Sequence, residues 1–248
     1  MSAPLVVDVV IPALNEEQAL PRVLAEIPRA AFETLTRDGA AVMAQVRRVV
    51  VADNGSRDRT AAVARAAGAD VVSEPRRGYG AACLRALASL REQPPDIVVF
   101  LDGDYSDYPA ELPLLLAPIV RGEAELVIGS RTAGRREAGS LTPQQRVGNA
   151  IACGALRLLY RARYTDLGPF RAIRWSTLQR LQMVDQNYGW TVEMQVKAAR
   201  RGIRHAEVPV SYRRRIGASK VSGTIRGTLG ASRKILWLLA RHAGPFAR

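Results

Sequence analysis

Cysteine is scarce: Cys83 and Cys153 are the only two in 248 residues, each among apolar neighbours and neither in a C-x-x-C spacing. That excludes a disulfide framework and a thiolate metal cluster, and reads as two buried free thiols. Long apolar runs are missing too. The best one near the C-terminus, Ile235 to Ala240, falls far short of the roughly 20 residues that cross a bilayer. The run Leu5 to Ile11 carries Asp8, lacks a basic leader and stops at Pro12, unlike an export signal. The expectation is a cytoplasmic protein whose membrane contact, if it has one, is peripheral on the inner face. Neither G-x-x-x-x-G-K-[ST] nor G-x-G-x-x-G occurs, so P-loop and dinucleotide readings lose support. Repeats and low-complexity stretches are also missing.

Acidic residues thin out along the chain. From Met194 onward thirteen Lys and Arg stand against the single Glu207, within a net charge of +13. Such a field attracts polyanions: nucleotide phosphates, anionic lipid or nucleic acid. A nucleic-acid module is the weakest of these, because the sequence shows neither an aromatic platform nor a recognition helix; no nucleic-acid partner is expected.

What is present is the composition of a folded protein, 48% hydrophobic and 24% charged, long enough for one sizeable core. Leu5 to Ile11, Arg47 to Ala52, Ala69 to Ser73, Ile97 to Leu101, Glu125 to Gly129, Phe170 to Arg174 and Ile203 to Val210 read as strands. Helical spacing appears between them, as at Leu20, Val23, Leu24 and Ile27, at Leu112, Leu115, Leu116 and Ile119, and over Pro143 to Tyr160. The alternation predicts an α/β fold, a Rossmann-like, mostly parallel sheet flanked by helices. One domain over 1–222 is expected, followed by a basic amphipathic tail over 223–248 with a helix from Thr228 to Arg241. That helix either packs on the core or lies on an anionic leaflet. The basic, glycine-containing loop Arg131 to Leu141 is expected to be mobile.

Ligands of parallel sheets sit beyond the strand C-termini. Asn15-Glu16, Asp53-Asn54 and Asp102-Gly103-Asp104 each follow a strand, so they should converge on one crevice. Asp102 and Asp104 offer hard oxygen ligands to magnesium or manganese bound jointly with a diphosphate; taken alone the pair is equally a solvated turn. Asp107 is either a further ligand or a helix cap. Asp53 to Thr60 is either local turn and capping chemistry or a nucleotide site, in which Asp53 accepts a hydrogen bond from the base, Pro12, Ala13 and Glu16 line the same pocket, and Gly78 and Gly80 permit close backbone approach. Arg213 to Lys220 reads as a lid over phosphates or as a solvated run.

The motifs Ile-Pro-Ala-Leu-Asn-Glu-Glu17, Ala-Asp-Asn-Gly-Ser-Arg-Asp-Arg-Thr60, Asp-Gly-Asp104, Gly-Ser-Arg131, Asp-Leu-Gly-Pro-Phe-Arg171, Glu193 and Glu-Val-Pro-Val210 together resemble glycosyltransferase family 2 with the GT-A fold. Within it, the chain is similar to the dolichyl-phosphate mannose and polyprenyl-phosphate glucose synthases from Val9 to about Lys220. The resemblance implies an inverting, metal-dependent hexosyltransferase that takes UDP-glucose or GDP-mannose and a polyprenyl phosphate. It implies donor contacts from Pro12, Ala13, Leu14, Glu16, Asp53, Asn54, Gly78, Gly80, Asp102, Gly103, Asp104, Arg213 and Lys220. It also implies a metal held by Asp102, Asp104 and Ser106, an acceptor site at Arg131, Arg146 and Asn149, and catalytic roles for Asp104, Arg131, Glu193, Arg215 and Lys220.

Three departures stand out. Ser106 replaces the usual Gln, Asn54 replaces the second Asp of Asp-Asp-Gly-Ser, and the transmembrane helices of many relatives have no counterpart. A phosphate acceptor is ionised near neutral pH and needs no base; a hydroxyl acceptor would need one, with Glu193 or Asp166 as candidates. A soluble hydroxyl compound or glycan therefore stays open as the acceptor, as does homo-oligomerisation.

Overall fold

The structure, a computed structural model, describes residues 4–36 and 38–217. Lys220, the boundary at 222/223 and the tail helix Thr228 to Arg241 lie outside the described residues. The β-branched runs become β1 (Leu5–Ala13), β3 (Ala41–Asp53), β4 (Asp70–Ser73), β5 (Ile97–Phe100) and β6 (Leu126–Ser130), joined by β2 (Phe32–Leu35), β7 (Arg171–Arg174) and β8 (His205–Pro209). The helices are α1 (Leu20–Glu26), α2 (Thr60–Ala66), α3 (Tyr79–Ser89), α4 (Leu112–Val120), α5 (Pro143–Tyr160), α6 (Trp175–Leu181) and α7 (Trp190–Arg200).

All eight strands form one sheet in the order β2-β3-β1-β5-β7-β6-β8, with β4 also paired to β3. β1 runs parallel to β3 and β5, β4 to β3, and β8 to β6. β7 runs against both of its neighbours and β2 against β3. Because the β4-β3-β1-β5 half is parallel, Ala13, Asp53 and Ser73 align in register along one edge. The three polar clusters expected to converge do emerge on that side.

Alternation along the strands explains why both faces are covered. Val10, Val50, Ala52, Val98 and Phe100 face one core with α3 and α7, where Phe100 meets Trp190 edge-on at 5.9 Å. Val7, Val9, Ile11, Val49, Val51, Ile97 and Val99 face the other, with α1 and α4. This near-continuous apolar reading is what a doubly covered parallel sheet requires. Asp8 is the exception inside β1, buried and paired with Arg47 at 2.5 Å.

Two expectations change. Strand β3 begins at Ala41 rather than Arg47 because β2 pairs with its first residues as an antiparallel hairpin. The loop from Arg131, read as mobile, is tied down: Tyr212 donates its N–H to Arg135 O at 2.8 Å and accepts from Glu137 N at 2.9 Å. At Gly134 an added Cβ would lie 1.9 Å from the Val210 carbonyl oxygen, so only glycine lets these two segments meet.

Candidate active site

The ends of β1 and β3 are stitched together by the polar residues that follow them. Asn54 N–H donates to Ala13 O at 2.9 Å, Asn15 N–H to Ser56 Oγ at 2.9 Å and Glu16 N–H to Thr60 Oγ1 at 2.8 Å. Asn15 takes a left-handed φ of 53° and accepts from Arg57 N at 2.8 Å. Asp53 accepts from Ser56 N at 3.1 Å. Pro12, Ala13, Leu14, Glu16 and Asp53 are thereby brought to one place. Gly103 joins them, since a Cβ there would lie 3.3 Å from Ile11 and 3.7 Å from Ala13.

Beyond β5 the chain turns through Asp102, Asp104 and Asp107. Asp107 Oδ2 accepts from Asp102 N at 3.2 Å, which answers its two readings: it clamps the acidic turn, and the short 3-10 turn Pro109–Glu111 has no side-chain cap. Asp102 Oδ1 and Asp107 Oδ1 are buried without hydrogen-bond partners. Burial, then the charge of Asp104, pushes the Asp102 carboxyl up to about 6. Burial, then Asp102 and Asp104, pushes Asp107 up to about 8. Neutral carboxylic acids and orphaned oxygens are costly, and a divalent cation removes both costs. The donor set, all oxygen, suits magnesium or manganese. Among the described residues no three His, Cys, Asp or Glu side chains close on a single point, so the residues fit an ion shared with oxygens of a ligand.

Ser106 acts on Asp104 itself: its N–H and hydroxyl both reach Asp104 Oδ1, at 3.0 and 2.5 Å. That fixes the carboxylate's rotamer and uses the one O–H donor of Ser106, leaving the oxygen lone pairs as the part of this serine that could meet a cation.

The arginine triplet divides its work. Arg213 is buried, donating to Glu26 at 2.7 and 3.1 Å, to Tyr105 O at 2.6 Å and to Asp107 O at 3.0 Å. Its guanidinium lies 3.3 Å over the Tyr105 ring and 4.1 Å over Tyr108. Having spent its donors internally, it is an anchor and not the diphosphate clamp expected. Arg214 bonds Ala138 O at 2.7 Å. Where Arg213 meets backbone carbonyls of the acidic turn, Arg215 meets one of its carboxylates, at 2.9 Å from Asp104 Oδ2; burial opposes its charge, but Asp104, Tyr212 and Asp102 hold its pKa above the usual value. Ile216 N–H closes the segment onto Asp104 O at 2.9 Å.

Arg131 forms a fork onto buried Asp166, at 2.8 and 2.7 Å. Burial disfavours the guanidinium charge, yet Asp166 raises its pKa, making Arg131 a fixed cation whose field lowers the pKa of Asp102 and Asp107. Asp166, saturated by this pairing, is no base. Glu193 is buried and accepts from Val184 N and Asp185 N, the latter at 2.8 Å, while pairing with Lys197 at 2.7 Å; the expected catalytic role gives way to holding the 184–185 turn.

That turn explains Gly78 and Gly80. Added Cβ atoms would sit 2.0 Å from Gln186 O and 2.0 Å from Asp185 O, so the close approach these glycines permit is made by the protein's own chain and not by a nucleotide. Asn54 is similarly occupied, donating to Glu74 O and Arg76 O at 3.0 and 2.6 Å and accepting from Gly78 N at 2.8 Å. Asn149 clamps Thr165 O and Leu167 N, each at 2.9 Å, and so holds the turn that carries Asp166. Arg146 is exposed on the first turn of α5.

Sequence reasoning passed over Tyr79, whose buried hydroxyl faces the Asp102 carboxyl and helps to lower that carboxyl's pKa. It also passed over Tyr212, packed 5.1 Å beneath Arg131. Nothing local marks either tyrosine.

A Rossmann-like sheet with an acidic turn beyond its fifth strand, on the same side as the polar turns that end the first and third, defines the GT-A class of glycosyltransferase. The description "Glycosyl transferase family 2" matches residues 8–206, and the chain belongs to that family. An uncharacterized glycosyltransferase of Mycobacterium tuberculosis is 40% identical over 225 residues, 90% of this chain and 93% of the relative. The undecaprenyl-phosphate mannosyltransferase of Micrococcus luteus is 32% identical over 253 residues, covering 96% and 97%. The crystal structure of glucosyl-3-phosphoglycerate synthase from Mycobacterium tuberculosis with manganese and UDP-glucose aligns at a TM-score of 0.71 and 27% identity, over 97% of this chain and 79% of that one. The same synthase has been crystallised with manganese, UDP and phosphoglyceric acid.

Proposed function

We propose that this glycosyltransferase moves a hexose from a nucleoside-diphosphate sugar to a polyprenyl phosphate, with inversion at the transferred carbon. The observation that carries the reading is the acidic turn: two orphaned carboxylate oxygens, on Asp102 and Asp107, beside Asp104 with Arg215 against it. Pro12, Ala13, Leu14, Glu16 and Asp53 line the nucleoside side of the pocket. Asp102 and Asp104 hold magnesium or manganese together with the donor diphosphate, which supplies positive charge against the leaving group. Arg215 adds a second cation there, and because the site is partly closed to water that charge acts at low dielectric. Ser106 keeps Asp104 oriented, and the fixed charge of Arg131 works against the burial that raises Asp102 and Asp107. A phosphate acceptor arrives already ionised, and with Glu193 and Asp166 consumed structurally, an acceptor that needs no base is the better match.

Support for the lipid comes from the Micrococcus luteus mannosyltransferase, similar over nearly its whole length. A second reading, a soluble phosphorylated acceptor, draws on the synthase crystallised with phosphoglyceric acid. No helix among the described residues is long and apolar enough to cross a membrane. The test is transfer from radiolabelled UDP-glucose or GDP-mannose with manganese. Label moving into organic solvent with polyprenyl phosphate supports the lipid acceptor; label confined to water with phosphoglyceric acid in its place supports the second; no transfer with either overturns both.

A further inference from the structure

Helix α5 wears its apolar side outward. Ala152, Cys153 and Leu156 are its buried residues, and at 3.6 residues per turn Val147, Ile151 and Leu158 fall on the opposite face. These three are 59%, 56% and 82% exposed, with Gly154 between them also exposed. A surface helix ordinarily shows the reverse pattern. The stripe is edged by arginines: Arg146 and Arg157 on the helix, Arg161 and Arg163 just past it, all exposed. From Arg131 to Arg163 there are seven Arg and one acidic residue, Glu137, and Glu137 is engaged by the Arg214 N–H at 2.9 Å.

We infer that the outward face of α5 is a docking surface for an anionic lipid leaflet. Its purpose rests on the lipid-acceptor reading above, its geometry does not. Charge selects the occupant. A second copy laid on the same stripe would set arginines against arginines. The 31 residues after Gly217 carry six Lys and Arg and no acidic residue, so they offer the stripe no opposite charge. An apolar band with arginines along one side and at its C-terminal end matches a leaflet of acidic headgroups over acyl chains. Asn149, on the inward side of the same helix, clamps the 165–167 turn that carries the Arg131 partner Asp166. A leaflet on the outer face thus lies about one helix diameter, ~10 Å, from that turn.

The test uses the full chain, without donor or metal, in sedimentation with phosphatidylcholine vesicles with and without phosphatidylglycerol. Wild type should partition onto the anionic vesicles and be released by salt. Val147→Ser/Ile151→Ser/Leu158→Ser should weaken that partition at least tenfold while keeping the thermal midpoint, since these side chains are exposed. Leu236→Ser/Leu239→Ser in the tail is the comparator. Wild type that ignores anionic vesicles, a triple variant that binds like wild type, loss confined to the tail variant, or a triple variant whose only change is from dimer to monomer would each overturn the inference. Binding of UDP-glucose with manganese, measured without vesicles, reports on the catalytic reading independently.

Discussion

Three consecutive arginines with the same side chain do three different things, and the difference is testable residue by residue. Arg213 is buried against Glu26 and two tyrosine rings, so Arg213→Met should cost about 3 kcal/mol, the scale of breaking a buried ion pair, read as a lowered denaturant midpoint. Arg215 pairs with Asp104 beside Tyr212 and makes no buried ion pair with Glu26; Arg215→Met should leave that midpoint nearly in place and reduce kcat about 100-fold, the scale of losing one preorganised charge at a reacting group. A midpoint that falls equally in both would refute the division. Asp104→Ala should abolish detectable transfer, and restoration by excess manganese would contradict its role. Sequence alone could not sort the triplet, because Arg213 finds Glu26 from 187 positions away, a separation at which no pattern speaks.

At the scale of elements the strands were legible wherever β-branched residues ran together, and the site was legible as the polar clusters that end them. The hairpin of β2 with β3 was not: Phe32–Leu35 is short and half-polar, although Asp38-Gly39 marks its turn, with Gly39 at φ +82°. The reversed direction of β7 was invisible because periodicity carries no polarity. Gly78 and Gly80 were singled out for the right property and the wrong neighbour. Gly80→Ala should destabilise the fold by about 4 kcal/mol or prevent it, because the new methyl meets a backbone oxygen of the 185–186 turn and not a movable side chain; a stability unchanged in urea would show that the turn can withdraw. Glu193→Gln loosens the same turn from the other side, with an expected loss of about 2 kcal/mol, and a variant of full stability and no activity would restore the catalytic role withdrawn from Glu193.

For the whole molecule, α/β architecture and one continuous sheet followed from composition and alternation, whereas charge was legible only as a sum. The net +13 says that anions are attracted; it takes coordinates to separate arginines locked to Asp166 and Glu26 from those of α5 that face outward. A saturating donor at 100 times its Kd should raise stability by about 2.7 kcal/mol, and a thermal shift seen with UDP-glucose but not GDP-mannose, or the converse, would name the nucleotide.

The contact from Arg215 to Asp104 makes affinity for metal and affinity for diphosphate a single shared quantity. A cation arriving at Asp104 must compete with a guanidinium already there, and a diphosphate that draws the guanidinium away unmasks the carboxylate. Each ligand therefore tightens the other by the same factor, commonly between about 5 and 150. Titration calorimetry of manganese with and without UDP should show that cooperativity in the wild type, and Arg215→Met should bind manganese alone more tightly while losing most of the benefit of UDP.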